Sequence, residues 1–372
     1  MKTSFSTKFV FVLGLAFWIS SSGLCALAAS PELLRAKKEA ETGDFIFETS
    51  HDNIVAKARQ EGKLRLLSEL QPRTSKEMGE AFKQKYPFID VSTQEFTGTE
   101  TAQRFLLELK ARSIRDRDIM PLFPDFYSAL APYAKKFDIL RMAQHKVLSI
   151  QIGMIDPNNR TIVASQSAIS VVAYNKNLIS SEKVPNAWED FLRPELKGKK
   201  FLVDIRPLGF AALAAGLGEQ WVLNYARKLK EQEPIWVRGH TRALTAMVAG
   251  EHALFQLTNY HGCMRMAKKD PTGSLVCKII EPVPVRTQGA EAVINDAPNP
   301  HAALLWLEFE AGPEGQKIID EYEPLTSSIY AAGSQLEKLT LGKKLVVNNW
   351  DNYDLTPKWI AMVVEAFGIV EK

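Results

Sequence analysis

The stretch "QLTNYHGCMRMAKK" (256–269) puts Tyr260, His261 and Cys263 within four positions. Phenol, imidazole and thiol are all metal donors, and all three can also line a substrate cleft or simply pack. Phenolate is a hard donor suited to ferric iron, whereas imidazole suits softer divalent metals. Tyr260 and His261 are therefore candidate metal ligands, with cleft lining and packing as competing roles. Cys263 and Cys277 could close a short disulfide loop or stay as two isolated buried thiols. No CxxC or HxxxH pair offers a zinc site.

A second set of candidates lies at helix starts that follow strands. "TGTE" carries Thr97, Gly98 and Thr99, with Thr97 and Glu100 at capping-box spacing. "RPLGFAA" carries Gly209, and "RGHTRAL" carries Arg238, His240, Thr241 and Arg242, with Thr241 as the expected N-cap. Free backbone N–H groups and the positive end of the helix dipole can hold an anion at such places. Two guanidiniums beside a helix N-terminus worsen its electrostatics, a cost that a bound anion would offset. The other reading is two solvated arginines. Ser68 and Glu69, at the end of the first strand, complete the set of ligand-binding candidates.

Signatures of catalysis are missing. The chain has no G-x-S-x-G elbow, P-loop, H-E-x-x-H or strand-placed G-x-G-x-x-G, and "GLGEQ" (216–220) sits inside helical sequence. Its six histidines are dispersed. The expectation is a protein that is not an enzyme.

The elements that must position these groups read as α/β. "KLRLLSEL" (63–70), "TSKEMGEAFKQKYP" (74–87) and "FIDVSTQEF" (88–96) open the sequence β-α-β, the pattern of a parallel, helix-flanked sheet. Further on come a helix over 96–113, a stretch from 167 that is β-branched and apolar until Tyr174 and Asn175, and a helix, basic turn and buried strand over 187–207. Two helical stretches split at Gly216–Gly218, then a helix and strand over 241–261 and strand-rich sequence over 275–296. One long helix over 299–324 and C-terminal helices rich in Leu and Trp follow.

The first residues read as a secretory signal: Lys2 and Lys8, the apolar run "FVFVLGLAFWI" (9–19), and Ala26 and Ala28 in an A-x-A arrangement. Cleavage after Ala28 or Ala29 is expected; Cys25 follows Leu24 rather than a small residue, so a lipidated Cys25 is the weaker alternative. Without Lys2 and Lys8 the formal net charge falls from +3 to +1, with no basic stripe to suggest nucleic acid or an anionic membrane. Roughly 340 residues then remain, too many for one core. The expected division is 1–29 signal peptide, 30–61 a helical segment leading into the first strand, 62–165 with about 280–325 as one lobe, and 166–279 with about 326–372 as the other.

Taken together, "SVVAYNKNLIS", "VPNAWEDFLRPELKGKKFLVD", "TAMVAGEHALFQLTNYH" and "APNPHAALLWLEFEAGPEGQKIIDEYEP" resemble the periplasmic substrate-binding proteins of ABC importers, nearest the ferric-iron-binding branch. The resemblance runs over nearly all of 62–330. It implies the type II periplasmic-binding-protein fold, two lobes hinged by crossing strands with the ligand between them. It also implies a periplasmic monomer serving an inner-membrane permease and its ATPase. Ferric members use adjacent tyrosines after the "G-E-x-A-L" strand; here Tyr260 matches the first and His261 replaces the second. Two cargoes stay open: Fe(III) with a bound anion, or a small organic anion or polar metabolite. No resident cofactor is expected.

Overall fold

In the computed structural model the described residues are 30–369. The signal peptide expected over 1–29, with Cys25, lies outside them. No helix among the described residues is long and apolar enough to cross a membrane.

The strands are β1 (Lys63–Ser68), β2 (Asp90–Glu95), β3 (Ile119–Pro121), β4 (Ile162–Asn175), β5 (Leu202–Asp204), β6 (Ile235–Val237), β7 (Leu254–Asn259), β8 (Leu275–Lys278), β9 (Val283–Val293) and β10 (Leu345–Asn348). They run in the order β2-β1-β3-β9-β4-β7-β5-β6, with β10 on β9 and β8 on β4. The opening β-α-β is present: β1 and β2 pair in parallel from Lys63↔Asp90 to Ser68↔Glu95. Helix Pro72–Lys85 joins them and buries Met78 and Phe82.

Two long strands tie the halves together. β4 pairs antiparallel with β9 over Ile162 to Ile169, then with β7 and β8 from Ser170 to Asn175. Its side chains are buried along the whole length. A strand buried along its whole length needs both faces covered, and helices supply the cover.

The first half packs around Phe82, whose ring lies 5.2 Å from Trp306 and 5.5 Å from Phe309. Residues 30–61 belong to this core. Ser50 caps helix His51–Glu61 by accepting from Asn53 N (3.1 Å), and the helix buries Ile54 and Ala58. Its last residue, Glu61, accepts from the N–H groups of His301 and Ala302, at 3.0 and 2.8 Å on Oε2, and so caps helix Pro300–Ala311. In the second half the sheet is covered on both faces. One side holds Trp188, Phe201, Phe210 and Tyr225; the other holds Leu244, Met247, Phe255 and Tyr260. The C-terminal segment serves both halves: Trp350 and Tyr353 join the first core, while Trp359, Val363 and Phe367 join the second.

Three local expectations are corrected. The helix expected over 299–324 is two, Pro300–Ala311 and Pro313–Tyr322, because Gly312–Pro313 ends one and starts the next. The helix expected after Ala187 is a pair of tight turns; Asp190 Oδ2 accepts from Asn186 N at 2.8 Å and from Ala187 N at 3.1 Å. The C-terminus contributes the strand β10 as well as helices, and β10 runs parallel to β9.

Cys263 and Cys277 form a disulfide, with Cα atoms 6.0 Å apart, between helix Tyr260–Lys269 and β8. Of the two readings left open by the sequence, the bond is the one found.

Candidate functional site

A cavity of about 400 Å³ lies where the two halves meet. From the first half it is lined by Glu69, just past β1, by Gly98 and Thr99 at the start of helix Thr99–Lys110, and by Phe123 to Phe126 after β3. From the second half come Ser170, Gly209, His240, Leu257 and Asn259, and from β9 the run Arg286 to Gly289. Tyr353 and Ile360 close it from the C-terminal segment. Clefts between domains, with mostly apolar walls and a few convergent polar groups, are where small ligands bind.

Three helix N-termini face this region, but not with the caps expected from sequence. Helix Thr99–Lys110 has Gly98 as its N-cap, with no side-chain cap bond, and Thr97 is exposed outside the helix. Helix His240–Val248 starts one residue before Thr241, on Gly239 at φ 97°. That backbone conformation is open to glycine and strained for most side chains. Thr241, Arg238 and Arg242 are exposed and do not line the cavity. The two arginines thus take the solvated reading. Ser68 is buried below the site, its Oγ accepting from Leu70 N at 3.2 Å.

Gly209, in the first turn of helix Leu208–Leu217, sits on the cavity floor. A Cβ there would lie 2.4 Å from Leu257 Cδ2 and 2.6 Å from Ser170 Oγ, so glycine lets the helix start approach the sheet.

His240 lines the cavity, yet both ring nitrogens are committed to the scaffold. Nδ1 lies 2.8 Å from Thr258 Oγ1 and accepts from Asn259 N at 3.3 Å, while Nε2 lies 3.4 Å from Asp204 Oδ2. These partners fit the neutral Nε2–H tautomer. Burial lowers the imidazole pKa, Asp204 opposes that, and Arg206 and Arg286 add to it. His240 is a neutral positioning group that ties its helix to β5 and β7.

Tyr260 and His261 do not line the cavity. Tyr260 and Cys263 stand three apart on the buried face of their helix, and the disulfide pins that face to the sheet. Burial raises the Tyr260 phenol above its usual pKa, which opposes the phenolate that a ferric ligand needs. The His261 ring places Nδ1 2.6 Å from the Pro324 carbonyl oxygen. The structure thus separates this pair from the remaining candidates. Among the described residues no group of three His, Cys, Asp or Glu side chains stands ready to hold a metal ion.

The strongest feature of the cavity escaped the sequence reading. Arg286 is half-buried and lines the cavity, but its side chain makes no hydrogen bond or ion pair among the described residues, and its Nε is buried without a partner. Burial pulls its pKa down. Next to it, Thr287 Oγ1 is also buried and unpartnered. Buried charge is normally paired, so an open guanidinium beside an open hydroxyl is a site prepared for an acceptor. The available signal was an arginine amid the β-branched and proline-rich run "VPVRT".

Glu69 also lines the cavity, where burial and the neighbouring Glu310 push its carboxyl up to about 8. Beneath it Glu310 accepts from Ser165 Oγ at 2.7 Å and from Trp306 Nε1 at 2.8 Å. Glu291 and Glu310 are both buried, and burial is the main cause that raises both carboxyls.

Residues 129–354 match the bacterial extracellular solute-binding protein family, and the chain belongs to it. Three solved structures share the fold. Apo ferric ion-binding protein A of Pasteurella haemolytica is 17% identical with a TM-score of 0.63, over 82% of this chain and 98% of that one. The Trichodesmium protein IdiA (FutA), solved with iron and citrate ligands, is 18% identical with a TM-score of 0.64, over 82% and 98%. The ferric binding protein from Campylobacter jejuni is 18% identical with a TM-score of 0.64, over 82% and 99%. No curated protein matches the chain in sequence. The resemblance to substrate-binding proteins of importers is borne out by the family match, and the expected two-lobed α/β fold by the shared architecture.

Proposed function

We propose that the protein is the periplasmic solute-binding component of an ABC importer. It captures a small organic solute that carries an anionic group between its lobes and hands it, chemically unaltered, to an inner-membrane permease driven by an ATPase. The observation that carries the anionic ligand is Arg286, a half-buried arginine with an unpartnered Nε and no ion-pair partner among the described residues, opening onto the cavity beside Thr287. Thr99, Ser170 and Asn259 from the two halves supply further polar contacts. The Leu208–Leu217 and His240–Val248 helix starts add a positive field. A ligand bridging both walls favours the closed arrangement by its differential affinity. A closed form is what a permease can distinguish from an open one.

Native mass spectrometry of gently purified protein, followed by release and identification of the bound solute, tests this. An organic anion that is retained by the wild type and absent from Arg286→Gln supports the reading. A solute retained equally by both overturns it.

Ferric iron, bound together with an anion, is the second reading, supported by the shared fold with iron-binding proteins. It would use Arg286 for the accompanying anion, and it requires Tyr260 to leave its buried face. A tyrosinate charge-transfer band on titration with ferric citrate, lost in Tyr260→Phe, would favour iron.

A further inference from the structure

We propose that the solute is amphoteric, with an acidic group held by Arg286 and an ammonium held by Glu69 on one apolar or aromatic frame. This rests on the cleft-binding reading above and names the ligand class.

The cavity has two poles. Arg286 comes from β9, and Glu69 from the turn after β1 in the first half. No donor among the described residues hydrogen-bonds the Glu69 side chain, and the two residues form no ion pair with each other. Both are half-buried and line the cavity, and the Arg286 Nε is shut from solvent without a partner. A purely anionic solute would satisfy Arg286 and leave the Glu69 carboxyl without a partner. A purely cationic one would do the reverse. A solute carrying both charges gives each pole a partner in one event. Between the poles lie Phe123, Phe126, Leu257, Tyr353 and Ile360, which ask for an apolar middle.

The proton balance follows. At pH 7 the free Glu69 carboxyl, pushed up to about 8, is mostly protonated. An arriving ammonium favours the carboxylate, so binding releases a proton to solvent. Affinity therefore rises from pH 6 to pH 8 while the ligand's ammonium stays charged. The groups facing Glu69 are Glu310 and Glu291 below, and Arg286, His240, Tyr353 and Asp125 around the cavity.

The test is isothermal titration of the whole, ligand-stripped protein with three matched probes: L-phenylalanine, 3-phenylpropionate and 2-phenylethylamine. The expected result is phenylalanine binding at least tenfold tighter than either singly charged analogue, with proton release read from titrations in two buffers of different ionisation heat. Glu69→Gln should weaken phenylalanine at least tenfold and leave 3-phenylpropionate unchanged. The assignment is overturned if 3-phenylpropionate binds as tightly as phenylalanine, or if none of the three binds. The comparison of probes on the wild type needs no variant to fold. Arg286→Gln separates the two levels: if it abolishes 3-phenylpropionate binding, the anion reading stands whatever Glu69 does. If it changes no probe, that reading fails as well.

Discussion

Gly209 and Ser170 meet at the floor of the cleft so closely that one methyl group would not fit between them: an added Cβ would stand 2.6 Å from the seryl Oγ. Overpacking of this kind costs about 1–3 kcal/mol. Gly209→Ala should lower stability by that amount in chemical denaturation and weaken the co-purified solute several-fold. Unchanged affinity would mean that this helix start plays no part in holding the ligand.

Arg286 makes the opposite prediction for the ligand-free protein. A half-buried guanidinium whose Nε is shut from solvent without a partner is a stability cost. Replacing it by an apolar residue of similar length, Arg286→Met, should stabilise the stripped protein by about 1–2 kcal/mol while abolishing solute capture. Urea denaturation of both proteins checks it. A destabilised variant would indicate a structural partner for the arginine.

His301 bridges Glu61 (2.8 Å) and Glu48 (3.2 Å), and the two carboxylates raise its pKa against the opposing effect of burial. Glu48 is correspondingly lowered to about 2, with the His301 hydrogen bond as the main cause and Lys57 assisting. The His301 contribution is fully present below its unfolded pKa of about 6.5 and is lost as pH rises through its higher folded value. Glu48 contributes above about 4.5 and fades as pH falls towards 2. The stability lost in His301→Gln should therefore be larger at pH 6 than at pH 9. Equal losses at both values would show that His301 is neutral in the folded protein.

The disulfide closes a loop with a sequence separation of 14. A loop of that size is worth about 3 kcal/mol. Reduction, or the double replacement Cys263→Ser and Cys277→Ser, should lower the denaturation midpoint accordingly and leave the cleft poles in place. Solute affinity should change less than threefold.

Tyr260→Phe tests where the phenol points. With Tyr260 packed in the second-half core, the variant should keep wild-type solute affinity within a factor of two. A tenfold loss would return this residue to the binding site.

Much of the scaffold was legible. Alternation of apolar runs and helical stripes marked the β-α-β opening, and Gly216–Gly218 marked the break between helices Leu208–Leu217 and Glu219–Glu231. The helix starts near Gly98, Gly209 and His240 do converge on the cavity. What failed were inferences that needed orientation. Thr97 and Thr241 have capping side chains, but nearby glycines with positive φ, Gly98 and Gly239, take the N-cap positions instead. Tyr260 lies beside the cavity residue Asn259, and helical phase turns it inward. Arg286 was missed because an arginine in a strand reads as solvent-facing; only the crossing of β9 with β4 shows that its surroundings are interior.

β4 runs without interruption from the first sheet into the second, buried on both faces throughout. In a strand, one inserted or deleted residue turns every later side chain over. Such a change near Ser167 would invert the half of β4 that carries Ser170 while leaving Ile162–Ala164 undisturbed, putting the two sheets out of phase with each other. Gene variants should therefore show length changes in the surface loops and almost none within this strand, whose length acts as the shared ruler of both lobes.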